Sequence, residues 1–173
     1  ASDVYKRQLV WNPENGALLD RIPNNGQRSY GLALSPDGKM LAAATGDPGR
    51  AGEVRVFDAQ SGRVLATPFR GDDTLLAVDF SPDGRVLAFG GVDGKLRLFQ
   101  AETWTEGLAV SSHSDWLTAL SWDREGNQIA TASRDKTAKV YEVKTGRRLS
   151  TFSGHPEAVR AIAFHSNGKE VLS

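Results

Sequence analysis

Apolar positions along this chain come in short runs broken by turns, without the long three-and-four spacing of an amphipathic helix. Leu75-Leu76-Ala77-Val78-Asp79-Phe80 is apolar along most of its length, and Val86-Leu87-Ala88-Phe89-Gly90 is small and apolar. Lys95-Leu96-Arg97-Leu98-Phe99 alternates, which predicts a strand with its polar side chains outward. Arg147-Arg148-Leu149-Ser150-Thr151-Phe152 is the most polar of the runs and predicts an outer strand. Turn residues recur roughly every ten positions. The pattern predicts an all-β chain.

The turns are periodic. Ser35-Pro36-Asp37-Gly38 returns as Ser81-Pro82-Asp83-Gly84, Asp123-Arg124-Glu125-Gly126 and His165-Ser166-Asn167-Gly168, with the glycines 46, 42 and 42 residues apart. A second marker keeps the same step: Val56-Phe57-Asp58 aligns with Leu98-Phe99-Gln100 and Val140-Tyr141-Glu142, each 42 further on, and Val10-Trp11-Asn12 lies 46 before. Pro supplies the fixed φ and Gly the positive φ that such turns need. Four short strands in a unit of about 40–45 residues is the period of a β-propeller blade. Complete four-stranded antiparallel blades are therefore expected at 29–70, 72–112 and 114–154, with partial blades at 8–27 and 156–173. Residues 1–7 follow neither pattern and are left unassigned, as extraneous to the repeat.

From about Gln8 onward the chain resembles the WD-repeat β-propellers, in a bacterial type of that family. The family dipeptide falls at Trp11-Asn12, Phe57-Asp58, Phe99-Gln100 and Tyr141-Glu142, degenerate each time, while the literal Trp122-Asp123 belongs to a different column. The resemblance implies a hydrogen-bond chain that ties a blade together, here His113, Ser133, Asp135 and Tyr141. The preceding unit offers Gly71, Gly91, Asp93 and Phe99 and cannot form it; the first full unit offers Asn25, Thr45, Asp47 and Phe57, also incomplete. His155 opens a further unit whose partners are missing. The chain has no initiator methionine and stops at Glu170–Ser173, inside an expected strand, so it reads as a fragment of a longer protein.

Candidate chemistry is sparse. His113, Ser133 and Asp135 have the residue types of a hydrolase triad, but the repeat accounts for them structurally. The three histidines, His113, His155 and His165, show no metal-ligand spacing, and Asp37 and Asp83 sit one per turn. Gly46 and Gly52 flank the inserted Pro48–Ala51, which contains Gly49, and the three glycines lack the following helix that a phosphate loop requires. No catalytic residue, metal site or cofactor is expected. Arg134, Lys136, Lys139, Lys144, Arg147 and Arg148 are expected mostly on a solvated face, which also protects an edge.

Charge and cysteine usage narrow the partners. Of the 173 residues, 21 are Lys or Arg and 21 are Asp or Glu, so no bulk charge draws the chain to nucleic acid or an anionic membrane. Cys is absent, which excludes disulfides and thiolate metal sites within these residues. The compartment stays open between cytoplasm and a bacterial periplasm.

The expected function is a protein-binding scaffold. The alternative is the propeller portion of a larger bacterial enzyme or c-type haem fusion protein, with its chemistry outside this segment. The loops that precede each unit and those in its middle share one face and vary between units. Trp116, Arg134, Asp72, Asp73 and His155 on that face are the candidate partner-binding residues. The bare faces of the outer blades imply that the segment alone self-associates.

Overall fold

The computed structural model describes residues 7–23 and 28–173. Residues 1–6 of the unassigned stretch, and Asn25, lie outside the described residues. A hairpin, β1 (Arg7–Trp11) and β2 (Leu18–Pro23), comes first. Then follow three four-stranded sheets, each running in chain order. They are β3 (Arg28–Leu34), β4 (Met40–Asp47), β5 (Ala51–Asp58) and β6 (Val64–Gly71); β7 (Leu75–Phe80), β8 (Val86–Gly91), β9 (Lys95–Gln100) and β10 (Thr105–Ser111); and β11 (Leu117–Trp122), β12 (Gln128–Ser133), β13 (Ala138–Glu142) and β14 (Arg148–Phe152). A short pair, β15 (Ala163–Phe164) and β16 (Val171–Leu172), ends the chain. All pairings are antiparallel and the described residues contain no α-helix, so the fold is all-β, built of propeller blades. Among the described residues no helix is long and apolar enough to cross a membrane.

The repeated turns owe their shape to side chains. Ser35 Oγ donates to Asp37 Oδ1 at 2.7 Å and accepts the Met40 N–H at 2.9 Å. Ser81 repeats this with Asp83 at 2.6 Å and with the Val86 N–H at 2.9 Å. In the third sheet Asp123 takes over the serine's role, its Oδ1 accepting the Gln128 N–H at 2.8 Å. The degenerate Asp-Arg-Glu-Gly turn therefore keeps the same hydrogen-bond pattern, with its closing backbone bonds at 3.1 and 3.2 Å against 2.8 Å in its neighbours. Gly38, Gly84 and Gly126 hold φ of 71°, 73° and 73°, a region that disfavours any Cβ.

The sheets stack face to face, with the first strands β3, β7, β11 and β15 side by side along the inside. Alternation along each strand sends side chains to two different cores. Leu87, Phe89 and Phe99 pack against Val54, Val56 and Ala44 of the preceding sheet, while Ala88, Leu96 and Leu98 pack against Leu117, Ile129 and Tyr141 of the next. Both faces of the middle strands are thus inside. That corrects the expectation of outward polar residues on β9: Arg97 is 8% exposed. It lies in a column with Arg55 and Lys139, at steps of 42 residues. Each buried cation has a carboxylate: Arg55 pairs with Glu53, Arg97 with Asp93, and Lys139 Nζ lies 3.9 Å from Asp135. Lys139 therefore leaves the solvated group predicted for it. Buried charges persist only when paired in this way.

One carboxyl on the inner strands has no such cation. Burial pushes the pKa of Asp79, on β7, up to about 6. The folded state disfavours its ionised form, so the stability it contributes is full below about pH 4 and is lost as pH rises through about 6. Asp79→Asn should melt above the parent at pH 7, with the difference vanishing near pH 4, in paired thermal melts across that range.

Candidate partner-binding face

In the third blade, Leu117 pairs with Ser133 at one end of the β11–β12 ladder and Trp122 with Ile129 at the other. The loop entering β11 and the β12–β13 turn therefore share one end, with the Asp123–Gly126 turn at the opposite end. At the first end His113 anchors a buried network. Its Nδ1 donates to Asp135 Oδ2 at 2.9 Å, with Thr137 Oγ1 at 3.1 Å, and Thr131 Oγ1 donates to its Nε2 at 2.9 Å. Asp135 also accepts the Thr137 hydroxyl and N–H and the Ser114 N–H. Burial opposes ionisation of Asp135, but the donors from Thr137, His113 and Ser114 outweigh it and hold the carboxyl well below its ordinary range. Burial lowers the pKa of His113 against the pull of Asp135, so the ring is a neutral link at physiological pH.

This network differs from the expected chain at two residues. Thr131, not Ser133, meets the imidazole. Both are on one face of β12, but the ring extends inward along the strand and its far nitrogen passes Ser133. Ser133 instead shapes the turn, donating to Asp115 O at 3.3 Å and accepting the Asp135 N–H at 2.9 Å. The Tyr141 hydroxyl donates to Ser112 O at 2.9 Å, where Lys139 Nζ also donates at 2.7 Å. Tyr141 thus supports the backbone beside His113 and leaves the imidazole to Thr131. Thr131, His113 and Asp135 stand in the order of nucleophile, base and orienting acid, but Thr131 and the His113 side chain are 0% exposed. No substrate can reach them, and the arrangement ties the blade together.

The preceding blade fills the place of the histidine network with aromatic rings and one ion pair. Stepping back 42 residues turns Thr131 into Phe89, Tyr141 into Phe99, Lys139 into Arg97 and His113 into Gly71. Phe69 moves against the bare Gly71 and stacks with Phe89 at 5.2 Å, while Arg97 lies 4.6 Å over its ring. Asp93, the counterpart of Asp135, pairs with Arg97.

Above the buried network sits the exposed cluster. Trp116 precedes β11 and is 38% exposed. The Arg134 guanidinium lies 4.2 Å over its ring, and Arg134 Nε donates to Asp115 Oδ2 at 2.8 Å. Asp115 Oδ1 accepts the Trp116 N–H at 2.8 Å. These donors, Arg134 first, hold the Asp115 carboxyl below its usual range. Sequence reasoning missed Asp115, although Asp73, Asp115 and Glu157 recur at 42-residue steps. Asp73 repeats the role, accepting the Thr74 N–H at 2.7 Å, and also takes the Gly49 N–H at 3.1 Å from the inserted loop. Asp72 is exposed beside it. His155 is turned aside: Ser173 Oγ lies 2.8 Å from its Nε2, and its ring stands edge-on to Phe152 at 5.0 Å. The structure thus joins Trp116 with Arg134 and leaves Asp73 and His155 engaged elsewhere.

Comparison with known proteins agrees with this architecture. The family described as WD domain, G-beta repeat matches residues 62–100, 105–142 and 146–173. The first two matched stretches each begin near the last strand of one sheet and end with the third strand of the next, so successive sheets are linked by shared repeats. Meiotic recombination protein rec14 of Schizosaccharomyces pombe is 33% identical over 58% of this chain and 32% of its own length. Periodic tryptophan protein 2 of Arabidopsis thaliana is 29% identical over 53% of this chain and 10% of its own. Telomerase protein component 1 of Rattus norvegicus is 28% identical over 54% of this chain and 3% of its own. The chain spans less than a third of the length of these relatives. They are eukaryotic and lend no support to the bacterial qualifier or to a haem or enzyme fusion.

Proposed function

This chain belongs to the WD-repeat family, whose repeats serve protein interaction, and on that premise we propose that it binds a protein partner through the third blade's Trp116–Arg134 end. The observation that carries the proposal is the exposed Trp116–Arg134–Asp115 stack. An exposed cation–π pair contributes only about 0.5–1 kcal/mol, little reason to keep a large aromatic in water. Trp and Arg are the side chains that dominate interface energies when a partner desolvates them. Asp72 adds charge at the rim, and Asp73 acts by fixing the inserted loop. His155 is assigned to the junction with the following strands, outside the centre of the site. The neutral overall charge favours a protein over nucleic acid or a membrane surface.

Recovery of the partner from the native host's lysate should fall by about tenfold or more on replacing Trp116 and Arg134 together by alanine, as expected for two hot-spot side chains. Undiminished recovery by a folded double variant would place the site elsewhere.

The outer faces suggest a second behaviour. Leu9, Trp11 and Leu19 on the first hairpin, and Tyr30, Leu32 and Leu34 along β3, are exposed apolar side chains; Phe152 and Leu172 are exposed at the other end. In isolation the chain should self-associate through these faces. Sedimentation velocity should show a weight-average mass rising with concentration, and a monomer throughout would contradict this.

A further inference from the structure

We propose that Arg134 receives one carboxylate, the side chain of an aspartate or glutamate in the partner, end-on through its two terminal nitrogens. The inference rests on the binding face just described and names what that face recognises. Stacking on Trp116 fixes the plane of the guanidinium, and the Nε bond to Asp115 fixes its direction within that plane. The terminal nitrogens have no hydrogen-bond partner among the described residues, and the side chain is 50% exposed. An arginine fork matches the two oxygens of a carboxylate, and a fork already held in place loses less entropy on binding.

Lys136 is a second, independent mark of the site. It holds φ of 68°, where the preceding blade has Gly94 at 67°. A side chain in that conformation costs about 1 kcal/mol or more. Lys136 Nζ donates to Pro156 O at 2.7 Å, which fixes a positive charge two residues from Arg134. The corresponding positions of the preceding blade are Val92 and Gly94, so that blade has no such pair of cations. Charge balance sets the ligand. Arg134 is offset by Asp115, and Asp135 is taken up by His113 and Lys139, so Lys136 leaves a single positive charge beside the fork, too little to favour a dianion such as a phosphate group. A singly charged carboxylate suits the fork.

The test is selection of a random linear peptide library on the full chain, followed by affinity measurements on the selected peptides. Selected peptides should carry an obligatory Asp or Glu. Changing it to Asn or Gln, or making Arg134→Lys, should each weaken binding about tenfold, and the two changes together should weaken it little further. Arg134→Lys keeps the charge but removes the fork, and a thermal melt checks that it is folded. Arg124→Ala, in the turn at the opposite end, should leave affinity unchanged. Peptides whose affinity depends on Trp116 but on no acidic residue overturn the carboxylate inference while leaving the binding face intact. A selection that yields no peptide dependent on either Trp116 or Arg134 overturns both. Tighter binding when phosphoserine replaces the acidic residue, or competition by single-stranded RNA rather than by the peptides, also overturns it.

Discussion

Replacing Phe89 by alanine should destabilise the chain by about 3–5 kcal/mol, the usual range for emptying a buried phenylalanine site. Phe89 is fully buried, with Phe69 and Phe99 at ring distances of 5.2 and 5.1 Å, and it packs across to the preceding sheet. The cavity would open between two blades, so the loss weakens the contact that stacks them. Domains of this kind are stable by only about 5–15 kcal/mol, so the variant should unfold at a much lower urea concentration. Phe89→Leu keeps most of the volume and should lose about 1 kcal/mol. If Phe89→Ala shifts the urea midpoint no more than Phe89→Leu, the aromatic cluster does not hold the blades together.

Removing the Asp135 carboxylate should cost about 2–3 kcal/mol, because it is the charged acceptor shared by the His113 ring, the Thr137 hydroxyl and the Ser114 N–H. The effect is confined to one pH range. The folded pKa of Asp135 is depressed, so its contribution is complete above the unfolded value near 4 and declines as pH falls below it. Asp135→Ala should therefore lower the urea midpoint at pH 7, by an amount that shrinks as pH falls below about 4. An unchanged midpoint at pH 7 would show that the network contributes nothing to the blade.

The fold was legible because its signals are local. A turn needs particular residues at fixed offsets, and their recurrence reports the blade period without any knowledge of packing. The limits came from substitutions that preserve geometry while changing chemistry. Asp123 stands for a serine because one carboxylate oxygen can accept the same backbone N–H. Thr131 displaced Ser133 because sequence register fixes a strand face but not how far a histidine ring reaches along it. Alternation made Arg97 look solvent-facing, since the pattern cannot tell a solvated sheet face from one covered by the next blade. Trp116 and Arg134 were legible as types that anchor interfaces. Their stacking on one another, and the part played by Asp115, became visible only with the two loops brought together.

The central claim, that the Trp116–Arg134 end of the third blade meets the partner, is tested most directly by contact. Trp116 is replaced by the photo-crosslinking amino acid p-benzoylphenylalanine, and Arg124, in the turn at the other end of the same blade, is replaced likewise in a second protein. After irradiation in lysate of the native host, mass spectrometry should find a discrete partner peptide attached at position 116 and none at 124. Attachment at 124 alone, or the same products from both positions, would contradict the account.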